Sequence, residues 1–156
     1  MGIRFLGRSG HKDDNTSAPN HDRTSERFNA HFPRVFAYVR TCVGGEIPTQ
    51  DIVVKAFAQA FKDAGHADDD KFHAALFRAA RGMARPAVKN IPCDDTLGPR
   101  EREMLALVFD AGLSRSQIVE LFRFRESTVS ALLMSGLRKL KEQTSPAVAA
   151  AYANVT

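Results

Sequence analysis

The chain has 156 residues, a formal net charge of +4 and 44% hydrophobic residues. It contains eleven phenylalanines and no tryptophan, so phenylalanine must supply most of its bulky interior. No apolar run approaches the roughly 18 residues of a membrane span, and the polar N-terminal stretch lacks the apolar segment of a signal peptide. The composition therefore argues against a membrane protein and predicts a cytoplasmic one.

The distribution of charge argues against a strongly basic nucleic-acid binder. Residues 92–156 carry eight basic and eight acidic side chains, whereas a dedicated duplex-binding domain usually has a clear basic excess. Within 115–141, six basic residues stand against Glu120 and Glu126. We therefore expect only a weak phosphate-binding surface in the last third of the chain.

Apolar periodicity and loop-forming residues divide the chain into two helical units. No strand-like alternation is visible, so the sequence predicts an all-α protein of two small helical domains joined by a short linker. The predicted segments are a disordered N-terminal tail (1–25), a first helical unit (26–90), a linker (91–98), a second helical unit (99–143) and a C-terminal tail (144–156) that begins where Ser145-Pro146 ends the last helix.

Three helices are predicted in the first unit. Gly44-Gly45 should end the first helix, in which Pro33 is expected to introduce a kink or a new segment, and Gly65 should end the second. Asp68-Asp69-Asp70 should open the third, because acidic side chains favour the positive end of a helix dipole. The predicted inward positions are Phe28, Phe32, Val35, Phe36, Val39, Val43, Ile52, Val53, Ala56, Phe57, Ala60, Phe61, Phe72, Leu76, Ala79, Ala80 and Met83.

Three shorter helices are predicted in the second unit. Pro99 suits a first helical turn, and Ser114 with Gln117 forms a capping box for the next helix. Ser127 or Thr128 is expected to cap the last helix. The predicted inward positions are Met104, Leu105, Val108, Phe109, Ile118, Leu121, Phe122, Val129, Leu133, Gly136, Leu137 and Leu140.

No pattern of catalytic or metal-binding residues is visible. The five histidines show no metal-ligand spacing with Cys42 or Cys93, and the acidic run at 68–70 lacks the spacing of a calcium loop. No glycine-rich phosphate loop is present. We therefore expect no enzyme, no cofactor and no metal site. The two cysteines are expected to be free thiols, with a redox-active pair as the alternative.

Two stretches of the first unit carry more specific patterns. In 50–61, Asp51, Phe57 and Phe61 match the polymerase clamp-binding helix of region 2 in bacterial sigma factors of the extracytoplasmic-function type, although Val54 and Lys55 replace a Gln-Glu pair. The stretch 72–81 resembles the helix that leads into promoter melting in that region. The resemblance implies RNA polymerase-binding residues Gln50, Asp51, Lys55 and Gln59, and residues that contact the −10 element, namely Arg78, Arg81, Arg85 and Lys89.

Two departures weaken the melting helix. Gly82 replaces an expected Asn and lowers helix propensity by about 1 kcal/mol. Pro86 replaces an Asp, removes a backbone donor and disfavours helical backbone at Arg85. Capture of a flipped base needs stacking and hydrogen-bonding groups, and no aromatic residue lies between Phe77 and the linker. Unaided melting of the −10 element is therefore not expected.

The second unit is similar to region 4, the helix-turn-helix that reads the −35 element in the same family. The resemblance covers roughly residues 26–142 in all. Arg123 stands where the family has a glycine at positive φ, and Ser130, Leu132 and Ser135 replace basic reading positions. The residues implied to contact the −35 element are Arg123, Arg125, Ser127, Thr128, Ser130, Arg138 and Lys139.

Leu132 and Met134 are candidates for binding a protein partner. Helical spacing cannot turn both toward the stripe of Val129 and Leu133, so at least one should face outward where the family faces DNA. An outward aliphatic side chain suits a protein contact better than a base edge. The alternative is that both residues add to a slightly larger core.

The resemblance therefore predicts a sigma-factor-like transcription initiation factor that binds core RNA polymerase and directs it to promoter DNA with degenerate reading. Its location would be cytoplasmic and nucleoid-associated, and an anti-sigma factor is a further expected partner. One alternative is a sigma-like co-activator that docks on polymerase but takes its promoter specificity from a separate DNA-binding protein. The other is a stand-alone helix-turn-helix regulator, for which we would expect a dimerisation surface and a symmetric operator.

Overall fold

A computed structural model describes residues 18–88 and 97–153, with side chains described over 22–87 and 97–143. These ranges are all-helical and contain no strand. No helix among them is both long and apolar enough to cross a membrane. The elements are α1 (Ala18–Val43), α2 (Glu46–Ala64), α3 (Asp69–Val88), α4 (Pro99–Phe109), α5 (Arg115–Phe122) and α6 (Glu126–Ala153). The all-α prediction is confirmed for the described ranges.

The predicted joints of the first three helices are confirmed. α1 ends at Val43 because Gly44 takes a positive φ of 77°, which glycine adopts without steric cost. α2 ends before Gly65. Asp68 precedes α3, and its carboxylate accepts a hydrogen bond of 2.8 Å from the backbone N–H of Lys71. Each turn therefore follows the local signal that predicted it.

Arg27 fastens α1 to the α2–α3 turn. This buried guanidinium donates to the backbone oxygens of Gly65 and Ala67 at 2.9 and 2.6 Å. It also pairs with the Asp69 carboxylate at 2.7 Å and lies over the Phe72 ring, 4.8 Å from its centroid. Three carbonyl or carboxylate partners compensate the desolvation of this charge, which makes Arg27 a structural residue.

Aromatic rings fill the interior between α1, α2 and α3. Phe28 lies 4.7 Å from Phe57 between ring centroids, and Phe61 lies 4.7 Å from Phe72. Phe72 and Phe77 are completely buried. Tilted ring pairs at these separations add to the free energy of area burial, so the predicted phenylalanine core is confirmed, and Phe77, which was not predicted as inward, belongs to it as well.

In the second unit, α4 packs closely on α6. Gly136 is buried there, and a side-chain carbon added to it would stand 2.9 Å from Cδ1 of Leu105. The glycine therefore permits the close approach of the two helices. Glu101 completes the contact, accepting from the backbone N–H of Gly98 at 2.8 Å, from Lys139 Nζ at 2.7 Å and from the hydroxyl of Ser135.

α5 and α6 meet at a short joint that takes the predicted form. Ser114 accepts from the backbone N–H of Gln117, whose side chain returns a bond to the N–H of Ser114, so the predicted capping box is confirmed. Arg123 has φ 53° and ψ 39°, the left-handed conformation inferred from the glycine that it replaces. It is the one non-glycine residue in the described ranges with positive φ.

Several predicted helix boundaries are wrong. α1 begins at Ala18, so residues 18–25 are helical and not part of a disordered tail. Arg23 donates to the backbone oxygen of Ala67 at 3.2 Å, and extending a packed helix costs far less than nucleating one. α6 begins at Glu126, one or two residues before the predicted caps, and runs past Ser145-Pro146 to Ala153. Residues 1–17, 89–96 and 154–156 lie outside the described ranges.

Proline does not end either long helix of the first unit. α1 is continuous through Pro33, and α3 continues through Pro86 to Val88. Each proline removes one backbone donor, and both rings are exposed. Buried residues before and after each ring, such as Val35 in α1 and Ala84 in α3, hold the helix against the core. The backbone at Arg85 is therefore helical, although Pro86 was predicted to disfavour that conformation.

Three predicted inward positions of the second unit are exposed. Phe109 is 66% exposed at the end of α4, and Leu137 and Leu140 of α6 are also exposed. α4 contacts α6 through Gly136 and Ser135, which rotates Leu137 away from the contact. The buried aliphatic core of this unit is therefore smaller than predicted.

Candidate functional sites

The outer face of α2, defined here as Ile47, Gln50, Asp51, Val54 and Lys55, is exposed. Asp51 and Lys55 pair across one helical turn at 2.7 Å, and both side chains are more than half exposed. Ile47 and Val54 add two exposed aliphatic side chains beside this pair. The face is thus a mixed apolar and charged surface that no other helix of the described ranges covers.

Gln59, the fourth predicted polymerase-binding residue, differs from the other three. It is half-buried, and its amide donates to the Asp63 carboxylate at 2.7 Å. The structure therefore brings Gln50, Asp51 and Lys55 onto one exposed face, whereas Gln59 is engaged with the C-terminal part of the helix.

Two of the arginines predicted to contact a −10 element lie instead between the two helical units. Arg81 donates to both oxygens of Glu103 at 2.7 and 3.3 Å, and its guanidinium covers the rings of Phe122 and Phe124 at 5.0 and 4.8 Å. Arg78 donates to the backbone oxygen of Leu121 at 3.1 Å. In this arrangement both side chains join α3 to the second unit.

Further polar contacts support the same boundary. Tyr38 of α1 donates its hydroxyl to Glu103 at 3.5 Å, and Thr41 donates to Asp110 at 2.7 Å. Burial raises the pKa of Tyr38 well above its ordinary value, so its hydroxyl stays protonated and can donate. The two units therefore meet through α1–α4 and α3–α5 contacts that contain both buried and polar groups.

The thiol of Cys42 lies beside this boundary. Burial raises its pKa to about 12, so almost no thiolate exists at neutral pH. Cys42 is a free and buried cysteine. Cys93, the other half of the redox pair considered from the sequence, lies outside the described residues, as does Lys89.

Most residues predicted to contact a −35 element have exposed side chains, but one of them forms an ion pair within the molecule. Arg123, Arg125, Ser127, Thr128 and Arg138 are exposed, and Ser130 is half-buried. Lys139 instead pairs with Glu101. The hydrogen bonds from Lys139, Ser135 and the Gly98 N–H lower the pKa of Glu101 to about 2, which keeps this carboxylate charged. Lys139 therefore serves the α4–α6 contact.

Leu132 and Met134 have different environments. Leu132 is half-buried and packs against the core, as the alternative reading of this residue anticipated. Met134 is 63% exposed. The exposed face of α6 also carries Ala131 and Leu137, so it presents apolar side chains between Thr128 and Arg138.

A cleft between the two units brings together arginines that the sequence did not group. We call it the arginine cleft; it has a volume of about 750 Å³. A neighbouring cavity of about 350 Å³ shares Arg81, Arg85 and Arg123 with it and adds Arg78. The cleft is lined by Arg81, Arg85, Pro99, Arg100, Glu103, Met104, Phe122, Arg123, Phe124, Thr128 and Leu132.

Arg100 and the two phenylalanines were not predicted as site residues. The alternating Phe122-Arg-Phe-Arg125 stretch, which interleaves aromatic and basic residues, is the sequence signal that could have indicated them. Among the described residues, no group of three or more His, Cys, Asp or Glu side chains is arranged to hold a metal ion.

Comparison with known proteins does not assign the chain to a family. No family model matches the chain, and neither the curated proteins nor the solved structures contain a significant match.

Proposed function

We propose that the chain is a sigma-factor-like transcription initiation factor that docks on core RNA polymerase and carries a helix-turn-helix toward promoter DNA. The observation that supports this proposal best is the position of the left-handed Arg123 joint. It lies between α5 and α6, where the resemblance to region 4 requires a tight turn, and it follows a three-helix unit in the order of region 2.

The outer face of α2 is the proposed docking surface. Its exposed Ile47 and Val54 supply apolar area, and the Asp51–Lys55 pair supplies charges at the rim. Rim charges mainly set the rate and register of association, whereas apolar anchors contribute most of the affinity. This division of roles suits a reversible partner of the polymerase.

DNA contact is proposed for the joint and the first turn of α6. Arg123 and Arg125 are exposed there, and the hydroxyls of Ser127 and Thr128 lie beside them. Such groups contact phosphates and carry little base information. The proposal is therefore a factor with degenerate promoter reading whose binding weakens steeply with salt.

Binding to purified bacterial core RNA polymerase tests the docking surface. Asp51→Arg should weaken binding several-fold and mostly by slowing association, because it reverses one rim charge without touching the core. Glu120→Arg is the matched control, since it makes the same charge change at an exposed position of α5, away from the outer face of α2. Equal affinities of the wild type and Asp51→Arg would contradict the docking assignment.

The second candidate function is a sigma-like co-activator that takes promoter specificity from a separate DNA-binding protein. Two observations favour it. The outer face of α6 presents Met134 where a DNA-recognition helix needs polar groups, and Arg78 and Arg81 form their contacts within the molecule. A soft, flexible methionine side chain adapts well to a protein surface.

Transcription reconstituted from a fractionated extract of the host separates the two candidates. Met134→Glu should abolish promoter-dependent transcription if α6 binds a helper protein, while polymerase binding and the thermal midpoint stay unchanged. Phe109→Glu is the control, because Phe109 is equally exposed in the same unit but lies outside α6. Full transcription activity of Met134→Glu would contradict the proposed contact between α6 and a helper protein. The initiation-factor proposal would then be the one that remains.

A further inference from the structure

The arginine cleft combines basic side chains from three elements with an apolar floor. Arg85 comes from α3, Arg100 from α4 and Arg123 from the α5–α6 joint. The floor contains Met104, Phe122, Phe124 and Leu132. Its volume of about 750 Å³ falls within the range of small-molecule sites, which are typically concave, mostly apolar and equipped with a few convergent polar groups.

The charge in this cleft is not balanced by the described residues. Arg81 is neutralised by Glu103, and the two side chains are only 15% and 13% exposed. Arg85, Arg100 and Arg123 have no carboxylate within ion-pair distance in the described ranges. Three guanidinium groups that have no carboxylate partner among the described residues surround one cleft, and this concentration of positive charge attracts a multivalent anion.

The backbone of Arg123 gives a second, independent indication. A left-handed conformation costs a non-glycine residue free energy, and glycine would adopt it without strain. The Arg123 side chain lines both cavities. Strain of this kind is often retained where the side chain serves a function, and here the guanidinium is the group that a glycine would lack.

We propose that the arginine cleft binds a mononucleotide that carries several phosphates. Guanidinium groups bind phosphate oxygens through paired hydrogen bonds, so Arg85, Arg100 and Arg123 would hold the phosphate chain. Because Arg81 covers the rings of Phe122 and Phe124, the planar base would lie beside the Arg81 guanidinium, on the part of the apolar floor that includes Leu132. An inorganic anion would use the arginines but would leave this floor unoccupied.

Binding of such a ligand ties the two helical units together. Its phosphate contacts would come from the first unit through Arg85 and from the second through Arg100 and Arg123. A ligand that binds the folded, closed arrangement stabilises it by mass action. The bound nucleotide therefore raises the thermal midpoint of the chain. This inference does not require a role in transcription.

Calorimetric titration of the full chain with ATP tests the proposal, with adenosine and inorganic pyrophosphate as partial probes. We expect saturable 1:1 binding of ATP, weaker binding of pyrophosphate and none of adenosine. Arg123→Gly should lower the ATP affinity by about tenfold or more, since it removes a charge-assisted contact. The unliganded variant should keep or exceed the wild-type thermal midpoint, because its backbone strain is relieved.

Two further variants complete the test. Arg85→Gln should also weaken ATP binding, whereas Arg115→Gln, an exposed arginine of α5 outside the cleft, should leave it unchanged. Equal losses for Arg115→Gln and Arg85→Gln would show non-specific attraction of anions and overturn the proposal. Absence of ATP binding would overturn it, as would tighter binding of a single-stranded oligonucleotide at the same arginines. None of these outcomes bears on polymerase binding, which is measured separately.

Discussion

The first three-helix unit buries aromatic rings, whereas the second buries aliphatic side chains and places its phenylalanines at its edge. Between α1, α2 and α3, ring pairs such as Phe28–Phe57 and Phe61–Phe72 lie 4.7 Å apart. In the second unit, Leu107 and Ile118 are buried, Phe109 is exposed, and Phe122 and Phe124 face the arginine cleft. The two units therefore bury different kinds of side chain.

The difference indicates that the first unit supports the second. The rings of Phe122 and Phe124 are covered by Arg81 of the first unit, and Glu103 finds its cationic partner there. A short unit with a small aliphatic core gains much of its order from such contacts, since small domains are only marginally stable alone. We therefore expect damage to the first unit to unfold the whole chain, whereas damage at the boundary should uncouple the second unit.

The largest effect is expected from Phe72→Ala. Phe72 is completely buried, contacts Phe61 and lies beneath Arg27. Its truncation should lower the free energy of unfolding by about 3–5 kcal/mol, which includes the cost of the cavity. Urea denaturation followed by circular dichroism measures this loss. Phe109→Ala, at an exposed ring of the second unit, should cost far less; equal losses would contradict the contrast between the units.

A smaller effect is expected from Glu103→Gln at the boundary. The substitution keeps the shape of the side chain but leaves the mostly buried Arg81 without a carboxylate. It should cost roughly 2–3 kcal/mol, somewhat less than breaking a completely buried ion pair. Glu120→Gln, at an exposed position of α5, is the control.

The shape of the urea unfolding curve of Glu103→Gln shows whether the second unit depends on the boundary. If contacts with the first unit stabilise the second, Glu103→Gln should split the urea unfolding transition into two. The fluorescence of a probe attached to α6 should then change at a lower urea concentration than the circular dichroism signal of the whole chain. A single, unsplit transition at the wild-type midpoint would show that the second unit is stable without the boundary.

Most local signals that act within one turn predicted the joints correctly, although the Ser127 or Thr128 cap and the Ser145-Pro146 stop were wrong. The Gly44 and Gly65 stops, the Asp68 start and the Ser114 capping box all depend on backbone groups a few residues apart. Predictions that depend on distant contacts were less accurate. α3 is helical at Arg85 despite Pro86, and α1 does not start a new segment at Pro33, because the faces beside both prolines are packed on the core, which no local pattern contains.

The same distinction applies to the candidate sites. Helix geometry predicts one exposed face for Gln50, Asp51, Lys55 and Gln59; the first three lie on it, whereas Gln59 is half-buried and bonded to Asp63. Helix geometry could not place Arg81 against Glu103, because these residues are 22 positions apart and belong to different units. The arginine cleft was not predicted for the same reason: Arg85, Arg100 and Arg123 converge only when α3 packs on the second unit.

The smallest expected effect is a difference between the two units in acid. Burial lowers the pKa of both His31 and His73, whose rings lie 5.3 Å apart, with Arg34 opposing their protonation and Asp69 and Asp70 favouring it. As the pH falls below about 6.5, the unfolded chain binds protons that the folded chain does not, so the free energy of unfolding must fall. His73→Gln should reduce the loss of stability between pH 7 and pH 5.5.

The second unit should respond in a different pH range. The lowered pKa of Glu101 contributes stability above the ordinary carboxyl range, and that contribution is lost as the pH falls from about 5 toward 2. Glu101→Gln should therefore alter the pH dependence below about pH 5 and leave the interval from 5.5 to 7 unchanged. Urea denaturation at a series of pH values separates the two ranges. If Glu101→Gln and His73→Gln changed the free energy of unfolding over the same pH interval, the two units would not differ in their response to acid. The contrast between the units would then be contradicted.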